Sequence, residues 1–292
     1  MKMIALATLS FAFLANTLTA TEKPPPKPTL PKGTPAEQVQ ALIAQHDKAM
    51  ASFRKLFEAA KSDEEQEKLE PLFPDPGPYA ELLVEIAEKN PKDPIAAEAL
   101  LWAFRNDLSA KAKAILMRDH LLHPKIGLLC VRLRRELGDV PRQALERVLA
   151  ENADKDAQAH AAYALGYLLK SHAALARKVQ KADAKELAEW EKNRGKAETA
   201  YLKNANADAL QKRAEELLER VTKEKAYSEV KVEKPDGWVK LGDMAAQELF
   251  EMRHLQPGQA APEIIGEDID GKPMKLSDFR GKVILLDFWG FW

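Results

Sequence analysis

The chain has 292 residues, 46% of them hydrophobic and 30% charged, with 13 glycines and a formal net charge of −1. That length holds two ordinary domains with real cores, and a composition rich in Ala, Leu, Glu and Lys favours helix. A net charge so near zero removes the electrostatic case for nucleic acid or an anionic membrane surface as a partner.

Residues 1–20 have the outline of an export signal. Lys2 supplies a positive start, IALATLSFAFLA (4–15) an apolar centre, and NTLTA a small-residue exit, with cleavage expected after Ala20. A helix over 4–15 would rise only about 18 Å, against a hydrocarbon core of roughly 30 Å, so a cleaved signal is preferred to an anchor. No cysteine follows the apolar centre, which leaves a lipoprotein anchor unsupported. The expected location is periplasmic or extracellular, with no membrane attachment beyond the signal.

Residues 21–35, containing EKPPPKPTLPKGTP, read as a proline-rich linker of extended polyproline type. From Ala36 to residue 226 the pattern is helical. Val39, Ile43, His46, Met50, Phe53 and Phe57 alternate steps of four and three along one stripe, with His46 expected as a hydrogen-bonded histidine at its boundary. PLFPDPGP (71–78) breaks this helix. Shorter helical runs follow, separated by NPKDP (90–94), ND (106–107), HP (123–124), GDVP (138–141) and NADKD (152–156). NPKDPIAAEALLWAF and NADKDAQAHAAYALG resemble each other loosely, which suggests an α-solenoid of irregular period.

Cys130 is the only cysteine and lies in the apolar run IGLLCVRL, where a packed thiol is expected. His120 and His123 stand three apart but have no further ligands nearby in sequence, so neither a metal site nor a cofactor is expected. Between 183 and 225 the stripes Leu187–Trp190–Ala197–Tyr201 and Leu210–Ala214–Leu217–Val221, parted by NANAD (204–208), predict a helical hairpin with solvated outer faces.

The composition changes near Tyr227. A connector over 227–254 carries strand-like and turn-like residues (YSEVKVEKPDGW) and then a helix with Leu249, Met252 and Leu255 on its apolar edge. The segment 255–292 turns to β. The Asp270–Gly271 pair separates EIIGEDI from KPMKL as a hairpin turn. VILLDF (283–288) has no alternation and reads as a strand buried on both faces.

These last residues resemble the opening of the thioredoxin-fold redoxins, nearest the TlpA-like thiol-disulfide oxidoreductases of the AhpC/TSA-redoxin superfamily. The entry Gly-x-x-Ala-Pro is matched by Gly258, Ala261 and Pro262, and the D-G-K turn by Asp270, Gly271 and Lys272. Leu276, Ser277 and Asp278 match the next turn, Gly281 and Lys282 the Gly-Lys pair, and Phe288, Trp289 and Trp292 the aromatic approach to the active site. The resemblance implies an incomplete α/β domain whose next residue would be the first thiol of a Cys-x-x-Cys, expected immediately after Trp292. It further implies protein dithiols and disulfides as partners.

The chain as it stands carries neither of those thiols, and is expected to be inactive in exchange. Three readings of its ending stay open: a fragment or frameshift, a UGA codon meant for selenocysteine, or a genuine end with a vestigial redoxin start. Peroxide reduction of the peroxiredoxin type is a second activity within the fold, but Phe288–Trp292 lacks the Pro- and Thr-containing loop of that branch. A secreted helical interaction module is the reading outside redox chemistry. With only one hairpin to pack against, residues 283–292 are expected to be exposed or laid on the helical part. The class expected is therefore mainly α, with the start of a thioredoxin-like domain at the end.

Overall fold

The structure is a computed structural model that describes residues 26–234 and 237–290. The signal read over 1–20 and the aromatic Trp292 lie outside the described residues. The chain is mainly helical, and its β structure among those residues is confined to two antiparallel two-stranded sheets. It divides into two compact units between Leu116 and Met117, within the stretch 36–226 that the sequence presents as one helical domain.

The first unit starts with α1 (Pro35–Ala59), and the sequence explains its sharp beginning. Thr34 accepts from the Glu37 amide while the Glu37 carboxylate accepts from the Thr34 amide, and Pro35 occupies the first turn. Val39, Leu42 and His46 are its buried residues. The predicted stripe is thus buried only in its first half, and Leu42 displaces Ile43 from its deepest position. Towards the other end Phe57 is exposed, and Phe53 meets Phe73 edge-on with ring centres 5.3 Å apart.

A short helix α2 (Asp63–Glu67) and a 3-10 turn at Glu70–Leu72 precede the prolines that interrupt the chain. Beyond them α3 (Gly77–Lys89) packs on α4 (Pro94–Asp107). The turn between them is set by Asp93, whose carboxylate accepts from the Ile95 amide at 3.0 Å. Asp154 caps the helix Lys155–Lys181 of the second unit in the same way through the Ala157 amide. The two similar stretches therefore begin alike but then run for 14 and 27 residues. The division between units falls inside α5 (Ala110–Asp119).

In the second unit α6 (Gly127–Leu133), α7 (Asp139–Glu151) and α11 (Ala207–Lys223) pack around α8 (Lys155–Lys181). Every residue of α8 from Ala161 to Gly166 is buried, so no face of that stretch reaches solvent. Small side chains make this possible. A Cβ on Gly166 would lie 2.8 Å from Leu218 Cγ and 3.4 Å from the Ala214 carbonyl oxygen, so α11 sits where only glycine admits it.

Leu218→Ala is therefore expected to cost about 2–5 kcal/mol, through lost transfer energy and the cavity left behind. Gly166→Ala should also destabilise, because overpacking of about 1–3 kcal/mol outweighs the gain of about 1 kcal/mol in helix propensity. Urea midpoints should show the double variant losing less than the sum of the two, since the smaller Leu218 side chain makes room for the new methyl.

The charged stretch 183–225 is not a two-helix hairpin. Gly195, at φ 90°, divides its first arm into α9 (Ala184–Arg194) and α10 (Lys196–Asn204). That backbone value is open to glycine and strained for other residues, so the helical stripe through Leu187, Trp190, Ala197 and Tyr201 does not continue across it. Ala197 is consequently exposed and Leu187, Trp190 and Tyr201 only half-buried. In the second arm Ala214, Leu217 and Val221 of α11 are buried as expected, and Leu210 is half-buried.

After the one-turn helix α12 (Lys225–Ser228), β1 (Lys231–Lys234) pairs with β2 (Gly237–Lys240) in the connector. Then α13 (Leu241–His254) packs on α11 and α8 with Leu249 and Met252 buried. Lys170 of α8 reaches Glu248 and Glu251 at 2.7 and 2.5 Å, and Arg253 pairs with Glu215 and Glu219 of α11. Leu255, read as part of the apolar edge, is exposed because the helix has ended at His254. No described residue after Met252 is buried.

Candidate functional site

The residues singled out by resemblance lie on the last structured piece of the chain. There β3 (Ile265–Glu267) pairs with β4 (Pro273–Lys275), with Ile265 opposite Lys275 and Glu267 opposite Pro273. Proline is tolerated because β4 has no strand on its other side among the described residues. The ladder is extended by the Leu276 amide, which donates to the Ile264 carbonyl at 2.9 Å.

Asp270 and Gly271 form the turn, as their sequence predicts, and Gly271 has φ 76°. The organising side chain is a different one. Asp268 accepts from the amides of Asp270 at 3.0 Å and Lys272 at 2.9 Å. Its own backbone closes the loop with Lys272 and Gly271. Sequence reasoning passed over Asp268, although an Asp two residues before another turn residue is the signature of such a side-chain-mimicked turn.

The Leu276–Ser277–Asp278 stretch forms a 3-10 turn, Leu276–Phe279. Asp278 accepts from the Lys275 amide at 3.2 Å, and Glu263 accepts from the Ser277 amide at 2.9 Å. Those bonds from Ser277 hold the Glu263 carboxyl below its usual range. They tie the entry loop that carries Ala261 and Pro262 to the turn before Gly281. Gly258 and Gly281, with φ 88° and 84°, reverse the chain on either side.

A hollow of about 400 Å³ lies within this frame, walled by Ala261, Leu276, Phe279, Lys282, Ile284 and Leu286. The structure therefore brings Ala261 and Lys282 together on one hollow. Gly258, Asp270 and Gly271 act on the backbone outside it.

VILLDF is not a strand here. Residues 283–290 have no regular secondary structure, and none of the side chains over that stretch is buried. The physical reason is pairing: a strand is defined by its neighbours, and no described strand bonds to this one. The segment instead turns Ile284 and Leu286 towards the hollow, while Leu285 is 93% exposed. Phe288 and Trp289 are likewise exposed. This matches the expectation that the stretch is exposed, over its described residues 283–290.

No cysteine or histidine occurs anywhere in 255–292, so this frame holds neither a nucleophilic thiol nor an imidazole base. Cys130 does not supply one. It is buried in α6, and desolvation pushes its thiol up to about 12.

The histidines singled out in sequence have other roles. His46 is 6% exposed and not at a boundary. It stands edge-on to Tyr79 and Trp102 with ring centres 5.2 and 5.0 Å away, and neither ring nitrogen has a hydrogen-bond partner. Edge-to-face packing against these two rings encloses the imidazole in place of the hydrogen bonds expected at a boundary. His123 accepts from the Lys125 amide at 3.2 Å and opens a 3-10 turn, and it does not join His120 in a ligand set. Among the described residues no group of three or more His, Cys, Asp or Glu is placed to hold a metal ion. No described helix is long and apolar enough to cross a membrane.

No family model matches the chain, and no solved structure matches it. Among curated proteins, the thiol-disulfide oxidoreductase ResA of Bacillus thuringiensis subsp. konkukian (strain 97-27) is 42% identical over 38 residues, 13% of this chain and 22% of the relative. ResA of Bacillus subtilis (strain 168) is 45% identical over 38 residues, covering 13% and 21%. ResA of Geobacillus thermodenitrificans (strain NG80-2) is 43% identical over 35 residues, covering 12% and 20%. The chain thus spans about a fifth of the length of the curated relatives it matches. These local similarities support a thioredoxin-like redoxin segment in this chain and a redox-related function for it.

Proposed function

We propose that residues 255–292 are the opening of a TlpA-like thiol-disulfide oxidoreductase domain, carried on an exported helical region. The observation that carries this reading is the local identity of 42–45% with ResA proteins, together with the ordered hairpin, turn and approach segment described above. In such enzymes the first thiol of a Cys-x-x-Cys lies at a helix N-terminus, where the exposed amides favour thiolate. It attacks a substrate disulfide, and the second thiol resolves the mixed disulfide. By resemblance that pair belongs directly after the position of Trp292, with Phe288 and Trp289 leading into it.

The test is made on the gene and on its product. The codons that follow Trp292 are read, and the frame they open is expressed with the chain. A continuation with Cys-x-x-Cys, or with a UGA codon and one cysteine three residues on, should reduce insulin disulfides at the expense of a dithiol, while the 292-residue chain should not. Insulin reduction by the 292-residue chain itself, or a continuation with no redoxin frame, overturns the proposal. A peroxidase activity exceeding the insulin activity would move the assignment to the peroxide-reducing branch.

A second reading has its own support: every buried residue among those described lies at or before Met252, so the helical region needs nothing from the redoxin segment for its core. On that reading the helical region is a protein-interaction module, and its test is capture of a defined partner by the helical region after 255–292 has been removed.

A further inference from the structure

Two helices of the second unit are held with little apolar anchorage. No residue of α9 is buried, and α10 buries only Thr199 and Leu202. Leu202 belongs to a small cluster with Ala176 and Val179 of α8, and Leu187 and Trp190 of α9 lie half-buried at its margin. Beneath α9 runs a cleft of about 590 Å³ whose walls include Lys178, Lys181, Trp190 and Arg194. The rest of the grip on α8 is polar. Gln180 donates to the carbonyls of Lys203 at 3.2 Å and Ala205 at 2.8 Å, at the far end of α10. In the middle, His172 of α8 meets Tyr201 of α10.

The bonding at His172 fixes which nitrogen carries the proton. The ring is 1% exposed, and Nε2 lies 2.9 Å from the Glu136 carbonyl oxygen. A carbonyl only accepts, so Nε2 donates and the neutral ring leaves Nδ1 bare. At 2.9 Å, Nδ1 accepts from the Tyr201 hydroxyl. The Arg142 guanidinium of α7 stands near the Tyr201 hydroxyl and favours its ionised form, and is itself held by Asp139 at 2.7 Å and Glu146 at 2.8 Å.

We infer that His172 is an acid-released latch that holds the α9–α10 arm on α8. When Nδ1 takes a proton, it can no longer accept from Tyr201. The hydroxyl must turn its hydrogen away and accept from a cationic ring beside the positive charge of Arg142, and its own hydrogen loses its acceptor. The charged and titratable groups that face the ring are Arg142 and Asp139 from α7 and Tyr201 from α10, with the Glu136 carbonyl from the preceding loop. Only Asp139 favours the charged ring by its own charge, and its carboxylate is already engaged by Arg142.

Burial pushes His172 below the ordinary imidazole value and Arg142 acts in the same direction, while the Glu136 carbonyl and Asp139 oppose them. The sign follows. A closed-state value below the released-state value of about 6.5 makes the latch fully effective above that pH. Its hold is lost progressively as pH falls below about 6.5 towards the closed-state value. Release frees α10, and with it α9, whose packing is chiefly on α10. The cleft beneath α9 then opens.

Hydrogen–deuterium exchange on the full chain at pH 7.5 and 5.5 tests this, with intrinsic rates corrected. Protection over 196–204 should fall several-fold, up to about tenfold for one pH unit below 6.5, while α11 keeps its protection. In His172→Gln, which retains a donor and an acceptor but does not titrate, the fall over 196–204 should vanish. Equal protection at both pH values overturns the inference. So does an equal fall in α11, or an unchanged fall in the variant. The proton resonance of the His172 ring in the unmodified chain gives a second reading that needs no variant, and titration at or above pH 6.5 overturns the latch.

Discussion

Native Cys130 reacts with a disulfide reagent such as DTNB at least about a thousandfold more slowly than Cys130 of the urea-unfolded chain at pH 7.5. The side chain sits in α6 among buried neighbours, Leu129 and Leu133 included. Desolvation raises its pKa to about 12, against an ordinary cysteine near 8.5. The thiolate population alone falls by roughly three orders of magnitude. A more basic thiolate is a better nucleophile, and that returns about half of the loss on a logarithmic scale. Access removes it again. A reagent the size of DTNB reaches a residue 1% exposed only when the surrounding helices open, at a cost of several kcal/mol.

The kinetics separate the two causes. If reaction is gated by opening, the rate follows stability and rises in parallel with denaturant, and Leu218→Ala should speed it even though Leu218 is not a neighbour in sequence. If the raised pKa alone is responsible, the rate climbs tenfold per pH unit up to about 12 with no dependence on denaturant. A native rate within tenfold of the unfolded one would mean that α6 does not bury this thiol. The consequence is direct: the helical part of the chain offers no reactive thiol for exchange.

Much of the helical architecture is legible because its signals are local. Thr34 with Glu37, Asp93, Asp154 and Asp183 mark helix starts by side-chain chemistry that works within four residues. The prolines of PLFPDPGP stop a helix by geometry alone. The features that sequence reading missed depend on what lies across a gap. Leu42 outranks Ile43 because of where α3 and α4 happen to cover α1, and His46 is enclosed because Tyr79 and Trp102 arrive from elsewhere in the chain. Gly195 is an intermediate case. A glycine within a charged helical stripe is weak evidence of a break, yet its φ of 90° divides one expected helix into two.

The candidate site follows the same division. The order Gly258, Ala261, Pro262, Asp270, Gly271, Gly281, Lys282 is visible in sequence, and the hairpin and turns form where that order places them. The role of Asp268 in the turn and of Glu263 at Ser277 was not read, although both are short-range bonds of a familiar kind. VILLDF marks the other limit. Its residues state a preference for a buried strand, and only neighbouring strands can satisfy it.

Limited proteolysis of the chain cuts first and fastest within 279–290, at least about a thousandfold faster than within α8, and leaves the helical part intact. Free energy is stored unevenly along the chain. Opening the core around α8 exposes residues such as Tyr163, Leu165 and Leu168 and costs a large part of the global stability, several kcal/mol. Opening 283–290 exposes nothing that is not already half in water. Val283, Leu285, Phe288 and Trp289 are exposed, and Ile284 and Leu286 are 42% and 48% exposed although they face the hollow. Its opening energy is therefore near zero, and a difference of about 4 kcal/mol gives the thousandfold ratio.

Chymotrypsin suits the experiment because Phe279, Phe288 and Trp289 lie in the target. The clipped protein should melt within about 1 °C of the intact one, since no buried residue has been removed. It should also stay soluble at concentrations where the intact chain associates, because an exposed stretch of Val, Ile, Leu and aromatic residues outside any sheet is a template for edge-to-edge pairing. Protection of 279–290 comparable to that of α13 would show that the stretch is covered in solution, by the helical units or by a second molecule. A melting point that falls by several degrees on clipping would show that the redoxin segment contributes to the helical core after all.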